Sequence, residues 1–109
     1  MLIEFDKIPV EAVPHMRDGE GTVFLQKSSD GQVKVMKGTL PAGATIGLHT
    51  HETNSEVIYI LSGKGKVLCD GVYEPLLPGA CHYCPKGHGH SLMNDGTEDL
   101  CFLAVIPEQ

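Results

Sequence analysis

His49 and His51 stand two residues apart, and Glu56 follows five positions after the second. On an extended strand alternate side chains share a face, so both imidazoles can reach one ion. An unbroken strand would put Glu56 on the opposite face. The intervening Thr53-Asn54-Ser55 reads as loop, which resets the register and lets the carboxylate turn inward. Ile58 and Ile60 then share its face and wall the site with apolar side chains. Imidazole and carboxylate together suit Mn, Fe, Co, Ni or Zn rather than Ca or Mg.

Elements of short, alternating type must position these residues. With 13 Gly and 7 Pro the chain is punctuated too often for a sustained helix, and no segment keeps a helical period. Residues 1–21 read as a short edge segment and a loop. Asp30-Gly31 and Asp70-Gly71 each mark a hairpin between β-rich runs. The segments ATIGLHTH, EVIYILSG, ACHYCP, HSLMN and LCFLAVIP read as further strands. About eight to ten short strands at regular spacing predict an all-β sandwich or barrel. The length, 109 residues, predicts one domain, 1–109.

The stretch 43–63 resembles the first motif of the cupin family, carried here by Gly43, His49, His51, Glu56 and Gly63. The stretch 79–94 resembles the second, carried by Gly79, Pro85, Gly87, His90 and Asn94. Ten spaced matches in order make coincidence negligible. The resemblance implies a double-stranded β-helix, a jelly-roll barrel of two sheets with both motifs facing its interior. It also implies His49, His51, Glu56 and His90 as the ligands of one divalent transition metal. Four protein ligands leave one or two positions for water or substrate, as a reactive metal requires. Small cupins generally dimerise, so a homodimer is expected.

His82 and Cys84 share one face of their strand, and Cys81 and Tyr83 share the other. One pair can line the cavity, and the sequence leaves open which. His82 and Tyr83 are therefore candidates for proton transfer, although a packed or surface histidine is the commoner fate of such a residue. The same alternation argues against Cys81-x-x-Cys84 gripping one zinc ion. His88 lies in a turn, solvated or at the cavity mouth. Tyr59 points away from the metal. Met36 and Phe102 lie on strands able to line a cavity, with core packing the simpler role.

The formal charge of -6, with scattered basic residues, excludes a nucleic-acid surface. No apolar run approaches the roughly 20 residues of a bilayer span. Glu4 and Asp6 stand where an export signal carries positive charge, so a cytoplasmic location is expected. The only basic residues within the two motifs, Lys64 and Lys86, fall in turns. A small neutral or mildly acidic substrate therefore fits better than a sugar phosphate. Fold alone does not choose between an enzyme of dioxygenase, isomerase or lyase type and a non-catalytic binder of a small molecule or sugar, in which the metal anchors the ligand.

Overall fold

The computed structural model describes residues 1–109. Ten strands form it: β1 (Glu11–Pro14), β2 (Thr22–Ser29), β3 (Val33–Leu40), β4 (Thr45–Thr50), β5 (Glu56–Ser62), β6 (Gly65–Cys69), β7 (Val72–Leu76), β8 (Cys81–Cys84), β9 (Gly89–Met93) and β10 (Leu100–Pro107). Two single 3-10 turns, Phe5–Lys7 and Met16–Asp18, are the only helical segments. The strands make a six-stranded sheet in the order β1-β2-β3-β10-β5-β8 and a four-stranded sheet in the order β4-β9-β6-β7. Every pairing is antiparallel, the two-sheet jelly roll expected from the sequence.

Strand β10 shows why the sheets close on each other. Its residues alternate strictly between buried and half-buried, and it lies between β3 and β5. Leu100, Phe102, Ala104 and Ile106 enter the core beside Leu40, Met36, Ile58 and Ile60. Val67, Leu76, Leu92 and Ile46 meet them from the other sheet. The Phe102 ring lies directly over Gly38, where any Cβ would run into it. At the β6–β7 hairpin both Asp70 (φ 51°) and Gly71 (φ 78°) are left-handed, the conformation that a two-residue turn between twisted strands demands.

The segment 1–21, expected to be edge and loop, contains more order than that. Strand β1 pairs with β2 from Glu11↔Leu25 to Pro14↔Thr22. The Gln26 amide donates to the carbonyls of Phe5 (2.6 Å) and Ile8 (3.0 Å), tying the first residues to the sheet. The apolar alternation that identifies a long strand is absent from Glu11-Ala12-Val13-Pro14, so the pairing partner, not local pattern, makes this strand.

Candidate metal centre

A bulge in β4 aims the first ligand. Ile46 pairs with Leu92 and His49 with His90, so β4 spends three steps where β9 spends two. The extra residue puts His49 on the inner side along with Ile46 and leaves Leu48 exposed. The Gly47 carbonyl, freed by the bulge, accepts from His49 Nδ1 at 2.8 Å. Gly47 is required there, because a Cβ would overlap the carbonyl of Arg17 in the loop packed against it.

The second and third ligands are set by the break after β4. The His51 N–H donates to the His88 carbonyl (3.0 Å), and the Gly87 N–H donates to the His51 carbonyl (2.6 Å). The turn beginning at Pro85 thus pins His51 while leading into β9 and His90. The strand then restarts at Glu56, with Glu56, Ile58 and Ile60 all buried, as the loop-reset reading requires. Asn94 closes the second motif from behind. Its amide donates to the carbonyls of Leu40 and Glu98, both at 2.7 Å, and it has no part in the site.

The ligating atoms of His49, His51, Glu56 and His90 lie within 4.8 Å of one another and could hold a metal ion. His51 Nε2 is 3.0 Å from Glu56 Oε1 and 2.9 Å from His90 Nε2, and His90 Nε2 is 2.9 Å from the same oxygen. These three atoms are close enough together to share one ion.

The outward nitrogens test the fit independently. Asn54 Nδ2 donates to Glu108 at 3.1 Å, which turns Asn54 Oδ1 toward His51 Nδ1 at 2.6 Å. A carbonyl oxygen only accepts, so the proton sits on Nδ1 and Nε2 keeps its lone pair for a metal. Gly47 does the same for His49. His90 Nδ1 meets His82 Nε2 at 2.9 Å. Each ligand imidazole thus has a partner holding its far nitrogen, the arrangement that orients metal-bound histidines. The donor set and its supports fit a divalent transition metal.

Without a metal, protons must stand between these acceptors. Hydrogen bonding to Glu56 is the main cause that raises the His51 imidazole above its ordinary range, against the effect of burial. For Glu56, burial would raise the carboxyl, but hydrogen bonds to His51 and His90 and their charges overcome it and leave it at about 2. Burial is the main cause that lowers both His49 and His82.

The four candidate donors open onto a cavity of about 380 Å³. Its inner wall is apolar, with Met36, Ile46, Ile58, Leu92 and Phe102. Met36 and Phe102 thus serve as both core and cavity wall. Of the pairs on β8, His82 and Cys84 are buried and Cys81 and Tyr83 are exposed. Neither His82 nor Tyr83 lines the cavity: His82 stands behind His90, and Tyr83 is on the outer face of the sheet. Tyr59 is also exposed. His88 pairs with Asp70 at 2.6 Å on the surface.

The cavity also holds basic residues that lie outside the two motifs. Lys64 and Lys86 lie elsewhere, yet three basic residues outside both motifs, Arg17, Lys27 and Lys34, line the cavity. Lys27 and Lys34 share strand parity with inward-facing Leu25 and Met36, a signal present in the sequence. Arg17 gives no such signal, because it arrives on a loop. That loop is strained: His15, Arg17 and Asp18 all have positive φ, at 50°, 54° and 63°. Left-handed backbone costs about 1–2 kcal/mol at each non-glycine residue. Packing of Gly19 and Gly47 at the loop's contact with β4 holds it in place.

Comparison with known proteins agrees with this geometry. A Thermotoga maritima protein named oxalate-binding protein is 34% identical over 97% of this chain and 93% of its own. A crystal structure of a Thermotoga maritima protein described as a predicted oxalate decarboxylase superposes over the whole of both chains, with a TM-score of 0.94 and 32% identity. Quercetin 2,3-dioxygenase of Bacillus subtilis is 33% identical over 97% of this chain, which covers only 35% of that enzyme. The family model described as "Cupin domain" matches residues 36–106, and the chain belongs to the cupin family.

Proposed function

We propose that this protein is a metal-dependent enzyme of oxygenase or lyase type acting on a small organic substrate. The carrying observation is the set of four convergent donors at the floor of an open, largely apolar cavity. His49, His51 and His90 would bind the metal through Nε2, and Glu56 through its carboxylate. A bound metal supplies a Lewis acid and, if redox-active, an electron source. The chain's own residues do the rest. Asn54, Gly47 and His82 hold the imidazoles in the ligating tautomer, and the Ile46, Ile58, Leu92 and Phe102 side chains keep bulk water from the substrate. Isomerisation by proton shuttling is less well supported. Apart from the ligands, the cavity's carboxylates are Glu11, paired with Lys27 at 3.1 Å, and exposed Glu52, so no buried general base faces the substrate.

Metal analysis of untagged protein beside His51→Ala tests this. About one equivalent of Mn, Fe, Co, Ni or Zn, lost in the variant, is the expected result. No metal after reconstitution would refute it. A second reading, a non-catalytic binder with the metal as anchor, draws support from the oxalate-binding relative. It predicts saturable ligand binding with no product by mass spectrometry. We further propose a cytoplasmic homodimer. Exposed Tyr59, Leu61 and Tyr83 on adjacent strands β5 and β8 supply an apolar face for the partner copy.

A further inference from the structure

Three cations, Arg17, Lys27 and Lys34, and three carboxylates, Glu11, Glu52 and Glu56, line the cavity. Lys27 is neutralised by Glu11. Arg17 and Lys34 enter no ion pair, and both line the same cavity as the four donors. The Arg17 backbone is held left-handed against Gly47, within the bulge that aims His49. A divalent ion with the one Glu56 carboxylate retains a positive charge, and Arg17 adds a second. A guanidinium presents a planar fork that matches a carboxylate with two parallel hydrogen bonds.

We propose that Arg17 is the residue that selects carboxylate-bearing substrates, pairing with the carboxylate in the cavity while the rest of the molecule lies toward the donor cluster. This rests on the metal-dependent reading for the second contact, but not for the first.

The test is titration calorimetry on zinc-loaded and metal-free protein, with zinc counted in each sample. Wild type, R17Q and R17K are compared with pyruvate, malonate, succinate, neutral pyruvamide and inorganic phosphate as probes. Zinc, which has no redox chemistry, separates binding from turnover. At least one carboxylate is expected to saturate the wild type and to bind about thirtyfold more weakly to R17Q, the loss of a charge-assisted pair. R17K should recover part of that loss, pyruvamide should not distinguish the variants, and the zinc content should be equal in all three. Equal carboxylate affinity in wild type and R17Q, no carboxylate binding to the wild type, or tighter binding of phosphate than of every carboxylate would each overturn the proposal. Zinc absent from the wild type would instead sink the metal reading, and the metal-free titrations would still decide the role of Arg17.

Discussion

His82 Nε2 lies 2.9 Å from His90 Nδ1, and both rings are buried. His82 lies on β8 of one sheet and His90 on β9 of the other, so this hydrogen bond crosses the barrel. With a metal on His90 Nε2 the ring's proton would sit on Nδ1, and His82 Nε2 would accept it. Partners of this kind are worth about 10–100-fold in metal affinity. His82→Phe should therefore weaken zinc binding by about that factor in a chelator competition, although no donor is removed. His82→Gln, which can still accept, should recover part of the loss. Unchanged affinity in His82→Phe would refute this role.

Gly47→Ala tests the bulge. The added methyl would overlap the Arg17 carbonyl, so either the loop or β4 must move. Destabilisation by more than about 2 kcal/mol is expected in urea unfolding, within the range of backbone and overpacking effects. Metal affinity should fall with it, since Gly47 also accepts from His49. A stable Gly47→Ala protein with full metal affinity would show that the contact is not required.

Metal should also stabilise the fold. Three mutually close acceptors from β5, β9 and the loop after β4 are drawn together by one ion. At a free metal concentration about 1,000 times Kd, the folded state gains about 4 kcal/mol. For a chain of this size that corresponds to a rise in Tm of more than about 10 °C. Differential scanning calorimetry with and without a chelator measures it. Glu56→Gln should abolish most of the rise, because the amide is a far weaker ligand than the carboxylate.

The cysteines should separate by reactivity. Cys84 is fully buried, and burial is the main cause that pushes its thiol up to about 12. At pH 8 it holds its proton, and the thiolate is the nucleophile. Cys81, three residues away, is exposed. Timed iodoacetamide labelling with peptide mapping should modify Cys81 first, with Cys84 reacting only after denaturation. The sign also applies to stability. The folded state keeps a proton that the unfolded chain begins to lose near pH 9, so the Cys84 contribution favours folding less as pH rises above that value.

The donor cluster was legible in the sequence because its parts are local. His49 and His51 are two apart, Glu56 follows a loop, and His90 belongs to a second spaced motif. Hairpins at Asp30-Gly31 and Asp70-Gly71 were legible for the same reason, since the turn residues carry the geometry. What stayed hidden depends on distant pairing. The choice between the two faces of β8 is made by its pairing with β5, where Ile58 stands opposite His82. The bulge at Gly47 shows only in the β4–β9 register. Arg17 reaches the cavity through a left-handed loop whose shape comes from its contact with β4, so no periodicity in residues 15–19 announces it.

The family match begins at residue 36, whereas Arg17, Lys27 and Lys34 all precede it. The stretch that carries the four donors and the stretch that carries the cavity's cations are therefore separate in the sequence. Exchange of the first 35 residues with those of a relative would change the charge met by an incoming molecule, while all four donors stay in the retained part of the chain. Such a chain is built like a tool with an interchangeable head, so new ligand preferences can arise without rebuilding the metal site.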